Sequence, residues 1–251
     1  MPYNKLFKEK LSIDETQINL LTDIGNNNLT EYITKNRNEL KKYILNHPNF
    51  LKSLKPIPFK KNSPKIAKLM INASQIANVG PMAAIAGGIS EISIDFLINK
   101  GSNYSIVDNG GDIAFINNEK NKKVICGIYA GKSPLSGKIA FEFKNNEKSV
   151  GICSSSGTVG FSLSYGRSDC VTIIAEKSSI ADALATAIAN DVNGKTDNNA
   201  VEKGLLTAEK FRKHFIGGLI IVGETIGTIG KLPKIIETKD KTIFNDFKEE
   251  Y

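Results

Sequence analysis

Residues Gly151–Asn190, GICSSSGTVGFSLSYGRSDCVTIIAEKSSIADALATAIAN, hold the signals that set the fold class. The stretch opens on a turn rich in hydroxyls and glycine, Cys153-Ser154-Ser155-Ser156-Gly157-Thr158-Val159-Gly160. Cys170 to Ala175 is a short β-type run, and Ser179 to Ile188 is a helix of small residues. Strand, turn, strand and helix in immediate succession predict an α/β chain of mixed α+β type. Hydroxyls and free backbone N–H groups in a glycine turn can form an anion-binding nest, and Ser154, Ser155, Ser156, Gly157 and Thr158 are the candidates. The turn is not a Walker A loop, because no Gly-Lys-Ser/Thr closes it. No GxGxxG opens a helix either, so a dinucleotide fold of Rossmann type is not indicated.

Asp182 and Thr186 are four residues apart and share one helix face. With Ser178 or Ser179 as N-cap, Asp182 falls near the first turn, where the helix dipole favours a carboxylate. That alone accounts for Asp182. The competing reading is a carboxylate and a hydroxyl aimed at a hard cation such as Mg²⁺, which takes one or two protein oxygens and completes its shell with water and phosphate. Cys153 is either a buried inert thiol or a nucleophile activated by flanking amides. Arg167 either reaches a phosphate or sits on the surface.

Upstream, a helix is predicted over Pro64 to Ala77, then the turn Asn78-Val79-Gly80-Pro81, then a helix of small residues, Met82 to Ser90. Gly87 and Gly88 each cost such a helix about 1 kcal/mol relative to Ala. Either tight helix packing or close approach of a ligand phosphate should offset that. Asp108-Asn109-Gly110-Gly111-Asp112 links two strands and reads as a tight hairpin turn or as the polar rim of a site. Further upstream, Leu29, Ile33, Leu40 and Tyr43 make one helical stripe with Asn28 as N-cap, ending before His47-Pro48; residues 53–64 read as an extended connector. Residues 1–25 could pair as an early hairpin. Downstream, Lys123 to Tyr129, Lys138 to Phe143 and Gly218 to Val222 are strands, and Ala208 to Phe215 reads as a helix. One continuous fold over 1–251 is expected, with a basic, helical N-terminal region over 1–63, a core over 64–230 and a peripheral charged tail over 231–251.

The chain of 251 residues is long enough for a substantial core. Its net charge of +7 lies wholly in residues 1–68, which hold 13 Lys and Arg against 6 Asp and Glu. Nucleic-acid motifs and interleaved aromatics are absent, so a solvated helical surface is favoured over a nucleic-acid partner. Cys126, Cys153 and Cys170 form no CxxC pair, which argues against a disulfide framework or a zinc site. His47 and His214 are too far apart in sequence to suggest a histidine site. No long apolar run and no secretory pattern are evident, and a cytoplasmic location without membrane contact is expected.

Four ordered motifs, Asn78 to Gly88, Asp108 to Asp112, Cys153 to Gly160 and Ala181 to Thr186, together resemble the uncharacterised archaeal and bacterial branch of the ApbE superfamily over residues 30–230. The resemblance implies two interlocked layers of sheets and helices with the ligand cleft between them. It also implies the chemistry of Mg²⁺-dependent FAD:protein FMN transferases, in which a target Thr or Ser hydroxyl attacks the FAD pyrophosphate and AMP leaves. By that resemblance Asp182, Thr186 and the main-chain oxygen of Ala84 hold the metal, and Asn109, Gly110, Gly111 and Asp112 line the flavin pocket. A phosphorylated small molecule and a protein would be its partners. Two positions depart from the pattern. Phe161 stands where the branch usually has a histidine, and Gly87 stands where ApbE enzymes have a lysine, which removes an acid/base donor and a positive charge. The same resemblance implies an alternative, a non-flavin accessory protein in anaerobic sulfur assimilation and homocysteine formation, with Cys153 handling sulfur.

Overall fold

The computed structural model describes residues 5–157 and 166–238. An antiparallel sheet of eight strands spans it. The strands, in chain order, are β1 (Phe7–Ile13), β2 (Thr16–Thr22), β3 (Tyr104–Asn109), β4 (Asp112–Asn117), β7 (Asn146–Ser155), β8 (Cys170–Ala175), β9 (Gly217–Val222) and β10 (Thr225–Gly230), and they lie side by side in that order. A second sheet, in the order β11-β6-β5, joins β5 (Val124–Gly127), β6 (Ile139–Phe143) and β11 (Lys234–Glu237). The helices are α1 (Leu29–Asn46), α2 (Asn49–Lys52), α3 (Lys65–Ala77), α4 (Ile85–Asn99), α5 (Ser178–Asp191) and α6 (Asp197–Lys210). The mixed α+β class expected from the sequence is the class observed.

Both faces of the large sheet are covered, and strand alternation sorts its residues between two cores. Val107, Ala114, Ile116, Cys153, Val171, Ile173 and Ile220 pack against the helices. Phe115, Ile152, Cys170, Ile174, Leu219 and Ile221 pack against Val124, Cys126, Phe141 and Phe143 of the small sheet. Burial on both sides explains why β8 and β9, Cys-Val-Thr-Ile-Ile-Ala and Gly-Gly-Leu-Ile-Ile-Val, are buried at every position and show no polar alternation.

Residues 7–22 form the β1–β2 hairpin, the early pairing expected within residues 1–25, ahead of helix α1. Several other elements differ from expectation. Asn28 occupies the N-cap of α1 in a left-handed conformation with no side-chain cap; the neighbouring Asn27 Oδ1 accepts from Leu29 N instead, at 2.9 Å. The helix placed at Ala208 to Phe215 in fact runs Asp197–Lys210, capped by Thr196 accepting from Asn199 N. Part of the expected peripheral tail is structural, because Lys234–Glu237 pairs antiparallel with Ile139–Glu142 of β6. Met82 lies in a short 3-10 turn, Pro81–Ala84, that leads into α4. Together Pro81–Asn99 is apolar and long enough to pass as a membrane span, but it is mostly buried inside the fold against α3, α5 and the large sheet.

Candidate functional site

The candidate site gathers on the helix-covered face of the large sheet, around the first turn of α4. The β3–β4 connection is the two-residue loop Gly110-Gly111, with φ of 68° and 99°. Two consecutive positive φ values define the tight hairpin that twists with its strands, and glycine adopts them without strain. Asp108 Oδ1 braces the turn by accepting from Gly111 N at 2.8 Å. Asn109 Nδ2 donates to Ala86 O at 3.2 Å, and Ser90 Oγ donates to the Asp112 carbonyl at 2.7 Å. The hairpin tip is thereby tied to the opening turns of α4.

The two central helices cap one another. Asp182 of α5 accepts from Gly87 N at 2.8 Å and also from Ala86 N, both in the first turn of α4. Glu91 of α4, fully buried, accepts from Ser179 N at 3.1 Å and Ser179 Oγ at 2.6 Å, in the first turn of α5. Ser178 Oγ adds a bond to Gly87 O at 2.8 Å. This exchange needs the backbones in contact: a Cβ on Gly87 would lie 2.3 Å from Ser178 O and 2.7 Å from Asp182 Cβ. Gly151 of β7 makes room in the same way, since its Cβ would lie 2.4 Å from Ser178 Cα. The glycine of the small-residue helix is therefore explained by helix packing; Ser178 occupies the space that a ligand phosphate would need.

Asp112, Cys153 and Asp182 converge here. Burial pushes the Asp112 carboxyl up to about 7, a rise opposed by hydrogen bonds from Cys153 and Ser154 N and supported by the charge of Asp108. Burial also raises Asp182 well above the carboxylate range, and the charge of Asp112 raises it further, against the pull of the Gly87 and Ala86 N–H groups. Asp112 Oδ1 is sealed from solvent and has no hydrogen-bond partner. Along α5, Asp182, Thr186 and Asn190 are half-buried at intervals of four, while Ala183, Leu184, Ala185, Ala187, Ile188 and Ala189 are buried. Ala84 is the N-cap of α4; its carbonyl takes the first intrahelical bond and keeps a second lone pair. Carboxylate, hydroxyl and carbonyl oxygens are the donors Mg²⁺ takes. Among the described residues no three His, Cys, Asp or Glu side chains assemble as a metal cage. The orphaned oxygen and two repelling carboxylates fit a hard cation.

A model of the family described as AbpE bacteria matches residues 5–212. The chain belongs to that family. The UPF0280 protein of Methanothermobacter thermautotrophicus is 47% identical over 242 residues, covering 96% of this chain and 93% of its own. That of Methanosphaera stadtmanae is 43% identical over 250 residues and covers both chains completely. Among solved structures, the flavin transferase ApbE of Vibrio cholerae superposes with a TM-score of 0.56 at 12% identity, covering 94% of this chain and 97% of its own. The apo flavinyl transferase ApbE of Pseudomonas stutzeri gives 0.57 at 13% identity, covering 90% and 94%. At such identity these two establish a shared fold.

On this ApbE-like fold the other candidates are dispersed. Ser154 and Ser155 end strand β7, so the expected turn begins later. Ser154 points to the opposite face from Cys153, where its Oγ lies 2.8 Å from Thr172 Oγ1 beside Cys170. Ser156 Oγ donates to Ser168 O at 3.2 Å, and Gly157 packs against the Gly166 carbonyl, so the hydroxyls of Ser154 and Ser156 turn to different partners. Thr158 and Phe161 lie outside the described residues. Cys153 is buried, its Sγ is 3.3 Å from Ser178 O, and burial with the charges of Asp112 and Asp182 raises its thiol well above the ordinary value. An activated nucleophile requires the opposite shift, so the thiol reading of Cys153 is not supported. Arg167 pairs with Asp197 and donates to Thr196 O at the surface. Sequence reasoning missed Glu91. Its signal was there: a carboxylate one turn beyond Gly87, among the buried apolar and small residues of the helix.

Proposed function

We propose that this protein binds a phosphorylated ligand, a flavin nucleotide, with Mg²⁺ held at the carboxylates beside α4, and acts on its phosphoryl linkage by flavin transfer or hydrolysis. The observation that carries the reading is the half-buried Asp182–Asp112 pair, with one Asp112 oxygen sealed from solvent and unpartnered, on a fold shared with flavin transferases. Asp182, Thr186 and the Ala84 carbonyl would hold the ion, and Asn109 to Asp112 would border the ligand. When bound, the ion neutralises charge at the phosphates. The protein's part is positioning: the reciprocal caps fix α4 against α5, and the Asn109–Ala86 bond fixes the hairpin against both. Gly87 leaves no side chain to supply a cation, so charge at the ligand falls to the metal.

The test is FAD titration by calorimetry with and without Mg²⁺, on wild type and Asp182→Asn. Asparagine keeps an oxygen to cap α4 and removes the charge, so the variant should fold. Mg²⁺-dependent FAD binding in wild type that weakens by about tenfold or more in the variant supports the reading. Absence of FAD binding at millimolar Mg²⁺ refutes it.

A further inference from the structure

We propose that Asp112 is a second carboxylate directed at the cation held by Asp182, so that the β3–β4 hairpin is a working part of the metal site. The inference rests on the metal site proposed above and adds a residue from a different element. Its main support is geometric. Asp112 Oδ1 is the one carboxylate oxygen among the described residues that is sealed from solvent without a hydrogen-bond partner. Native proteins rarely leave such an oxygen unsatisfied, because the lost hydration is uncompensated.

The surroundings narrow what could satisfy it. Cys153 and the Ser154 N–H already serve the rest of the carboxylate. Among the described residues no lysine or arginine acts on Asp112 or on Asp182. Lys177, the basic residue nearest in sequence to Asp182, is drawn to Glu91 and Asp95, at 3.6 Å and 3.7 Å. The carboxylate also has little freedom to retreat. The backbone of Asp112 is pinned by Ser90 Oγ at its carbonyl and by the glycine turn before it, and Asn109, its partner across the hairpin, is bonded to Ala86 O. A second carboxylate held rigidly beside the first, without a side-chain cation, is an arrangement that a hard divalent ion resolves.

The test uses Mn²⁺ as the probe for the Mg²⁺ site, titrated into the EDTA-stripped full chain and followed by the electron paramagnetic resonance signal of free Mn²⁺. Asp112→Asn is expected to weaken Mn²⁺ binding by at least about tenfold, as is Asp182→Asn. Asp108→Asn, in the same hairpin but with its Oδ1 occupied by Gly111 N, should stay within about twofold, as screened charge alone would give. Circular dichroism checks each fold, and Asp112→Ala must reproduce the loss if Asp112→Asn misfolds. If wild type binds Mn²⁺ and Asp182→Asn weakens it while neither Asp112 variant does, the role of Asp112 is overturned and the metal site stands. If Asp108→Asn weakens binding as much as Asp112→Asn, the effect is general charge and the inference is equally overturned. If wild type does not bind Mn²⁺, the metal site falls, and this inference with it.

Discussion

Gly87→Ala should destabilise the protein, although alanine is the better helix former. The added Cβ would sit 2.3 Å from Ser178 O, 2.8 Å from Ser178 C and 2.7 Å from Asp182 Cβ. Two of these atoms are backbone of α5, so no side-chain rotation relieves the contact. Ordinary van der Waals separation requires α4 and α5 to part by about 1 Å. Parting them stretches the bonds Gly87 N→Asp182 Oδ2 and Ser178 Oγ→Gly87 O, both 2.8 Å. Overpacking costs about 1–3 kcal/mol and a weakened bond to a carboxylate about 1.5–3, against about 1 gained in helix propensity. The net is a loss of about 3 kcal/mol, or roughly 6–12 °C in melting temperature for a chain of this size. Gly88→Ala is the internal control. Its Cβ would meet Met70 Cγ at 3.5 Å, an ordinary contact, so the propensity gain survives and the variant should melt at or slightly above wild type. The assay is thermal unfolding of the three proteins side by side, without metal. A Gly87→Ala protein as stable as Gly88→Ala would refute the backbone contact and the reciprocal capping built on it.

Two further outcomes follow from the buried carboxylates. The Asp112 carboxyl sits near 7 when folded against about 3.9 unfolded, so between those values the native state holds more protons than the unfolded chain. Stability of the metal-free protein should therefore be greatest below pH 4 with respect to this group and fall as pH rises towards 7, by at most about 4 kcal/mol. Asp112→Asn should flatten that slope in urea melts at pH 5 and pH 7 with EDTA present; an unchanged slope would exclude Asp112 as its source. Glu91→Ala removes the acceptor for Ser179 N and Oγ from a buried site and should cost about 2–4 kcal/mol, whereas Glu91→Gln, which keeps an acceptor, should cost less than half of that, read from the same melts. Equal losses in both would mean that charge, through Lys177, and not capping, is what Glu91 contributes.

The strands and small-residue helices were legible because their signals are local. Asn109-Gly110-Gly111-Asp112 fixes its hairpin through two positive φ values, and the apolar run Cys170 to Ala175 has no other stable home than a doubly covered strand. The stripe of α1 likewise shows in the buried Leu29, Ile33, Leu40 and Tyr43. Asp182 with Thr186 was legible as a polar face on α5 for the same reason. What escaped was set across long sequence separations. The pairing of Glu91 with Ser179, of Asp182 with Gly87, and of Asp112 with Cys153 depends on how α4, α5 and the sheet dock, and no local periodicity encodes that. Ser154 and Ser155 were read as part of a turn but end β7, where alternate residues face opposite sides, so the Ser154 hydroxyl leaves the face that Cys153 enters while its N–H still serves Asp112.

The glycine at position 87 and the carboxylate pair are then two sides of one arrangement. A helix N-terminus is an attractive seat for phosphate, since its free N–H groups and dipole both favour an anion. On α4 that seat is already filled, because Asp182 accepts from Ala86 and Gly87, and Ser178 blocks the approach. A lysine at 87 could not be accommodated while α5 packs this closely, so neither the helix dipole nor a side-chain cation there is available to a pyrophosphate. In the proposed site, the positive charge would come from an ion held by the capping carboxylate itself. For the proposed site, Asp182 is half-buried and shares its helix face with Thr186. On this reasoning ligand binding should depend on the metal more completely than in a site that retains the lysine. In the proposed titrations, FAD affinity without Mg²⁺ should be lost in wild type and only partly restored in a variant that loosens the α4–α5 contact.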